Sequence, residues 1–194
     1  MNKKTRKQLR KLAAEKENAA RRLELVEHFA YIPNVILETL VIDIKNISAL
    51  RSARLELIAD GNCVTFLPPN CSEKNIGVQL SLLRTTETHL AEFEQMEVRD
   101  EVTFMPVLGS EIVSVRSQIE HHPANFALFW IVMMSLSQVA EGIHLDSQEG
   151  AIVRLSNAFF DIPHNYFDPD VVSPIMLEAL EYYPFLYMTL EELA

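Results

Sequence analysis

A run of 18 residues without a charged side chain, 123–140 (PANFALFWIVMMSLSQVA), constrains the fold of this chain more than any other feature. It contains Trp130, the only tryptophan of the sequence. Pro123 suits the first turn of a helix and Gly142 suits its exit, so the pattern predicts a helix over about 123–141. The apolar side chains of this helix would point in every direction around its axis. A helix without a polar face must be enclosed by protein or by lipid.

Several properties of this segment favour enclosure by protein over a membrane span. Its length is at the lower limit of roughly 18 residues for a spanning helix. Polar side chains interrupt it, and acidic residues flank it without the Lys or Arg that usually anchors a cytoplasmic end. These polar and acidic residues are Asn125, Ser135, Ser137, Gln138, Glu120 and Glu141. We therefore expect a buried core helix and no membrane partner.

Charge is distributed unevenly between the start of the chain and the rest. Residues 1–22 contain nine of the 17 basic residues and two acidic ones, a net charge of +7. The remaining residues carry 8 basic and 25 acidic side chains, a net charge of −17. This polarity predicts a basic amphipathic helical arm at 1–30 and an acidic body at 31–194. The arm should be attracted to polyanions, whereas the body should be repelled by nucleic acid.

The sequence of the arm predicts one long helix over 3–30. Positions at alternating steps of three and four form a mainly apolar seam: Leu9, Leu12, Lys16, Ala19, Leu23, Val26 and Ala30. Such a seam fits packing on the same domain or a coiled-coil contact with another chain. The first turns carry the cations that we expect to bind a partner, which are Lys3, Lys4, Arg6, Lys7, Arg10 and Lys11. Because these cations oppose the helix dipole, the start of the helix should be loose until an anionic partner binds.

The middle of the chain has the alternation and the turn residues of β-strands. Strands are predicted over 40–44, 54–59, 62–67, 78–83, 102–107 and 112–115. A hairpin turn is predicted at Asp60–Gly61, and Thr85 or Thr86 should cap a helix through about Glu97. The segment 152–160 is ambiguous between strand and helix. The expected fold class is α+β: a mainly antiparallel sheet of about five strands packed on the buried helix, a long N-terminal helix and a helical C-terminal third.

Two classes of catalytic site lack the residues that they need. The five glycines are at least eight residues apart, so we predict no phosphate-binding loop and expect no cofactor. No serine lies in a GxSxG elbow, so no catalytic serine is predicted. The cysteines, Cys63 and Cys71, are expected to be reduced thiols, because the sequence shows no signal-peptide pattern and a cytoplasmic location is expected.

Histidine and aspartate residues cluster in three places around the core helix. These are His121–His122 before it, His144 and Asp146 after it, and the segment Asp161–Asp170. A hydrolytic metal site needs three His or carboxylate ligands and one open position, and all three clusters could meet at one end of the helix. Their spacing matches neither HExxH nor any other metal-binding motif. We therefore predict no bound metal, and a metal-dependent hydrolase is the alternative interpretation.

The leading hypothesis is a small cytoplasmic interaction or regulatory protein whose basic arm docks on an anionic partner. That partner would be another protein, a second copy of the chain through the first helix, or a nucleic acid bound without sequence preference. No catalytic residue is assigned, and an enzymatic function is the less favoured hypothesis.

Overall fold

An eight-stranded mixed sheet is the main feature of the structure, a computed structural model that describes residues 26–47, 55–68, 71, 76–118, 123–147 and 149–158. Three helices accompany the sheet in these ranges. In chain order the elements are β1 (Val26–Tyr31), α1 (Leu37–Asn46), β2 (Glu56–Asp60), β3 (Cys63–Leu67), β4 (Val78–Arg84), α2 (Glu87–Phe93), β5 (Glu97–Val98), β6 (Glu111–Ser117), α3 (Pro123–Val139), β7 (Ile143–Asp146) and β8 (Ala151–Arg154).

The strand order places the first strand in the interior of the sheet. The order is β2–β3–β4–β6–β1–β7–β8–β5. Neighbouring strands are antiparallel except β5 and β8, which pair in parallel. β1 is therefore hydrogen-bonded on both sides, to β6 and to β7. This arrangement brings residues near the start of the described chain next to residues beyond α3.

Apolar side chains pack on both faces of the sheet. On one face, α1 and α3 enclose the larger cluster, which includes Ile44, Phe66, Leu80, Leu128 and Met133. On the other face, α2 covers a smaller cluster, which includes Phe29, Phe93, Ile112, Leu145 and Ile152. Because helices cover both faces, β1 and β7 are buried on both sides. Strands in that position have near-continuous apolar sequences instead of a clear alternation.

Helix α3 lies close to the position predicted from the uncharged run. It extends from Pro123 to Val139, whereas the sequence predicted about 123–141. Most of its described side chains are buried, and those fully enclosed include Leu128, Phe129, Ile131, Val132, Met133 and Leu136. Ser135 satisfies its hydroxyl inside this core by donating to the carbonyl of Ile131 at 2.6 Å. None of the helices in the described ranges is long and apolar enough to cross a membrane.

The predicted fold class is wrong in its sheet and in its N-terminal helix. The sheet has eight strands and a parallel pair, where about five mainly antiparallel strands were expected. The helix predicted over 3–30 does not reach its expected end, because residues 26–30 belong to β1. Two positions of the predicted seam, Val26 and Ala30, thus lie in a strand, while residues 1–25 are outside the described residues.

The helical C-terminal third is also a wrong prediction for the residues that the structure describes. After α3 the chain forms the antiparallel hairpin of β7 and β8, and β8 falls in the segment that was ambiguous from sequence. Residues 159–194 lie outside the described ranges. Both strands of this hairpin are only four residues long, so neither shows a clear period.

Two of the predicted strands do not form. Segment 40–44 belongs to α1, where the buried residues Leu37, Leu40, Val41 and Ile44 have helical spacing. Segment 102–107 has no regular structure. The predicted hairpin is confirmed between β2 and β3, although its turn residues are Gly61–Asn62, with Gly61 at φ +57°. Both cysteines are thiols and form no disulfide.

Candidate metal centre

Strands β1 and β7 bring together residues that are far apart in sequence. In their antiparallel register Ala30 lies opposite His144, and Phe29 lies opposite Leu145. The same register, continued by one pair, places His28 opposite Asp146. Side chains alternate between the faces of a strand, so His28, His144 and Asp146 project from the same face. This is the face that α3 covers.

One potential ligand atom from each of these three residues lies within 4.8 Å of the other two. We refer to His28, His144 and Asp146 as the His-His-Asp cluster. Two imidazole nitrogens and a carboxylate oxygen are ligand types that several transition metals share. The cluster therefore has the number and kind of donors that a metal site needs.

The two imidazoles are joined by a direct hydrogen bond. Nδ1 of His28 and Nε2 of His144 are 2.8 Å apart, and the ring planes differ by only 7°. The ring centroids are 5.0 Å apart. This is close to the largest centroid separation that two imidazole rings can have when their nitrogens are 2.8 Å apart. The two nitrogens therefore point at each other, and the contact is an in-plane N–H···N bond and not a face-to-face stack. Which ring donates depends on the tautomer.

Packing against α3 keeps this pair away from water. His28 is 4% exposed and His144 is 2% exposed, whereas Asp146 is half-buried. The His28 ring contacts Phe129 and Trp130, with centroid separations of 5.2 Å and 6.3 Å. The imidazoles thus lie in the core, and Asp146 connects the cluster to the surface.

Burial determines the charge state of both histidines. Burial lowers the pKa of His28, although the carboxylates of Asp146 and Glu149 act in the opposite direction. Burial and the neighbouring His28 lower the pKa of His144 to about 3, against the effect of Asp146. Both rings are consequently neutral at pH 7. Neutral imidazole is the form that coordinates metal ions.

The turn between β7 and β8 holds Asp146 in place. The carboxylate of Asp146 accepts a hydrogen bond from the backbone N–H of Glu149 at 3.1 Å. The Glu149 side chain in turn forms an ion pair with Arg99 at 3.0 Å. Asp146 therefore has a defined position at the edge of the cluster, with its carboxylate on the side of the two imidazoles.

The structure brings together only part of the site considered from sequence. His144 and Asp146 do converge, because a His-x-Asp spacing on a strand puts both side chains on one face. His121–His122 and Asp161–Asp170 lie outside the described residues, so their place in the alternative site is not tested. The same is true of the predicted partner-binding cations Lys3, Lys4, Arg6, Lys7, Arg10 and Lys11.

Sequence reasoning missed His28. The residue was assigned to the predicted N-terminal helix, whereas it lies on a central strand 116 residues from His144. The local sequence VEHFAYI is rich in β-branched and aromatic residues and would have supported a strand. The pairing of β1 with β7 cannot be recognised from the residues near His28, because this pairing depends on the order of strands in the sheet.

No protein-family model, curated protein or solved structure matches this chain significantly. Proposals on function therefore rest on the residues of this chain itself, among them the His-His-Asp cluster.

Proposed function

We propose that this protein binds one divalent transition-metal ion through His28, His144 and Asp146. The observation that supports the proposal is the convergence of three ligand atoms within 4.8 Å on one face of two neighbouring strands. Two imidazoles and one carboxylate form the ligand set of hydrolytic zinc sites and of non-haem iron sites. The proposal keeps His144 and Asp146 from the alternative sequence interpretation and adds His28.

The present positions of the two nitrogens are close to those that a metal requires. Two nitrogens each about 2.0–2.1 Å from one ion are roughly 2.9–3.4 Å apart for angles between octahedral and tetrahedral. The observed separation is 2.8 Å, so the nitrogens need to move apart only slightly. The rings must also turn, because their nitrogens now point at each other. Metal binding would thus replace one buried hydrogen bond by two metal–nitrogen bonds.

Hydrolysis is the activity that this ligand set supports best. Three protein ligands leave coordination positions for water, and a bound divalent ion lowers the pKa of that water towards neutrality. Asp146 is half-buried, so the approach of a substrate would be from its side of the cluster. We therefore propose that the bound metal ion catalyses a hydrolytic reaction. This proposal depends on metal binding by the His-His-Asp cluster and is wrong if the cluster binds no metal.

Metal analysis tests the first step directly. Protein purified without chelator should contain about one equivalent of zinc, iron, manganese or cobalt, and the metal-free protein should take up Co²⁺ with an absorption spectrum of imidazole and carboxylate ligands. Changing His28 or His144 to Asn should reduce metal affinity by about 10-fold or more. The variant Asp146→Asn is a milder test, because Asp146 is only half-buried and an amide oxygen can still accept from Glu149.

The matched control is His89→Gln. His89 is on α2, which covers the opposite face of the sheet, and its ring stacks on Phe93. This substitution should leave metal content unchanged. If the wild-type protein takes up none of these ions, or if the cluster variants bind as well as the control, the His-His-Asp cluster is a structural hydrogen-bond group.

The charge distribution favours a second function, docking on an anionic partner. Residues 1–22 carry a net charge of +7, and the remainder carries −17. Acidic side chains on the described helices are exposed to solvent, namely Glu38, Asp43, Glu87 and Glu92. We propose that the basic arm binds either a polyanion or the acidic surface of another protein, including a second copy of this chain.

A charge-neutral arm tests this second function. The variant changes Lys3, Lys4, Arg6, Lys7, Arg10 and Lys11 to Gln. The affinity for duplex DNA and the oligomeric state in sedimentation are measured for the variant and for the wild-type protein. If DNA is the partner, log K for the wild-type protein should fall with log salt by roughly 0.9 for each phosphate contacted. If the partner is a second copy, the wild-type oligomer should dissociate at high salt. Binding and oligomeric state that are the same in both proteins at low salt would contradict the proposal.

A further inference from the structure

We infer that a second site, a cleft at the end of α3, binds a small zwitterion such as a short peptide. The cleft lies between the last residues of α3 and the segment 101–104, and its volume is about 680 Å³. Ligand sites typically have volumes of roughly 300–1,000 Å³. Ile143 lines the cleft, whereas Asp146 of the His-His-Asp cluster is three residues further along β7, about 10 Å at ~3.3 Å per residue. The inference therefore stands independently of the metal site.

Arg154, at the end of β8, is the group that would bind an anion. Its Nε donates to the carbonyl oxygen of Glu101 at 2.9 Å, which fixes the plane of the guanidinium. Among the residues that the structure describes, neither terminal nitrogen of Arg154 has a hydrogen bond or an ion pair. A guanidinium that is oriented but not paired can bind a carboxylate through two parallel hydrogen bonds.

The rest of the polar lining favours a cation. Two acidic residues, Glu101 and Glu141, line the same cleft. The C-terminal end of α3 also points there, and its last turn contains no basic residue to offset the partial negative charge of the helix dipole. A dianion such as a phosphate would be repelled by these groups. A ligand with one carboxylate and one ammonium group matches both polarities.

The remaining walls of the cleft combine neutral polar residues, which are Thr103, Ser137, Gln138 and Ser156, with apolar side chains. Val102 and Phe104 lie on one side, and Phe104 is held by an edge-to-face contact with Tyr31 at 5.9 Å. Val139 of α3 lines the other side. Gly142 lines the cleft without a side chain, because a Cβ there would be only 2.5 Å from the carbonyl oxygen of Tyr31. The apolar part of the lining suits aliphatic side chains, so we choose a dipeptide with aliphatic side chains as the ligand to test.

The probe is the dipeptide L-leucyl-L-leucine. Its binding to the full-length protein is monitored by two-dimensional NMR. We expect saturable shifts confined to the lining residues at millimolar or lower peptide concentration. The C-terminal amide of the peptide should bind about tenfold more weakly or worse, because it lacks the carboxylate for Arg154. The N-acetyl peptide should be weakened similarly, because it lacks the ammonium group for Glu101 and Glu141.

Two variants assign these effects to particular groups. Arg154→Gln should remove the difference between the peptide and its amide, and Glu141→Gln should reduce the difference between the peptide and its N-acetyl form. Arg154→Lys keeps the positive charge but loses the forked geometry of the guanidinium, so it should also weaken peptide binding. This variant replaces Arg154→Gln in the experiment if Arg154→Gln is unstable. The control is Arg116→Gln, which removes an exposed arginine that bonds Gln79 elsewhere on the sheet. Absence of binding, equal affinity for all three peptides, or binding that is insensitive to both Arg154 variants overturns the inference.

Discussion

The side-chain oxygen of Asn125 accepts a hydrogen bond from the backbone N–H of Gly77 at 2.8 Å. The amide group of the same residue donates to the carbonyl of Gln118 at 2.9 Å. Asn125 is fully buried in the first turn of α3, Gly77 directly precedes β4, and Gln118 directly follows β6. One polar side chain therefore attaches the central helix to two neighbouring strands of the sheet.

Replacing Asn125 by Ala should lower the free energy of unfolding by about 2–4 kcal/mol. The substitution leaves the N–H of the half-buried Gly77 and the carbonyl of the exposed Gln118 without this partner. A lost hydrogen bond costs roughly 0.5–1.5 kcal/mol, and a buried group left unsatisfied costs roughly 1–3 kcal/mol. Urea unfolding monitored by Trp130 fluorescence measures the effect. Asn157→Ala is the control, because Asn157 is exposed and its bond to Asp100 is 3.3 Å long, so its loss should cost less than about 0.5 kcal/mol. Equal costs for the two variants would contradict the role given to Asn125.

Two isoleucines on α1 test whether that segment is a helix packed on the sheet. Ile44 is fully buried, whereas Ile42 is 57% exposed on the same helix. Ile44→Ala should lower the free energy of unfolding by about 2–5 kcal/mol, since it leaves a cavity in the core. Ile42→Ala should change it by less than about 0.5 kcal/mol, because alanine has the higher helix propensity and little packing is lost. A strand over 40–44 would bury both side chains on one face and give them similar costs.

The elements that were predictable from sequence are those with a strong local signal. Helix α3 has an unbroken apolar run, and the hairpin of β2 and β3 has a glycine turn at Gly61. The N-cap Thr86 is followed by a short amphipathic segment, although the helix ends at Phe93 and not near Glu97 as predicted. In each case a few adjacent residues contain the signal, so tertiary context is not needed to detect it.

The elements that were missed depend on tertiary context. β1 is buried on both faces, so it lacks the alternation that identifies a strand with one face in water. β5 has two residues and pairs in parallel with β8, which no local pattern indicates. The His-His-Asp cluster was predictable in part, because His144 and Asp146 share a strand. His28 joins them only through the register of β1 on β7.

The N-cap of α2 provides a test of local stabilisation. Thr86 Oγ1 accepts from the backbone N–H of His89, and the ring of His89 accepts from the backbone N–H of Thr86, both at 3.3 Å. Thr86→Ala removes one of these bonds and should lower the free energy of unfolding by about 1 kcal/mol. Thr88→Ala is the control, because Thr88 is an exposed residue inside the helix, where alanine is favoured. If thermal unfolding shows equal destabilisation by both, the cap contributes nothing.

The buried histidines should make the metal-free protein less stable as the pH falls below about 6.5, the pKa of an unfolded histidine. Burial lowers the folded-state pKa of His28, and burial together with His28 lowers that of His144 to about 3. In that window the unfolded chain binds protons that the folded chain does not bind, so the unfolding free energy decreases with decreasing pH. For His144 the decrease should continue to about pH 3.

The expected slope is up to about 1.4 kcal/mol per pH unit for each histidine that stays neutral. Urea unfolding with a chelator present is measured between about pH 7.5 and pH 5, above the reference pKa of about 4 for carboxyl groups in model peptides. His144→Asn should reduce the slope, because it removes the group whose folded-state pKa is lowered to about 3. Asn157→Ala, which changes an exposed residue that does not titrate, should leave the slope unchanged. If stability is constant across this range, or if the two variants have the same slope, the imidazoles of His28 and His144 are not held neutral in the folded protein.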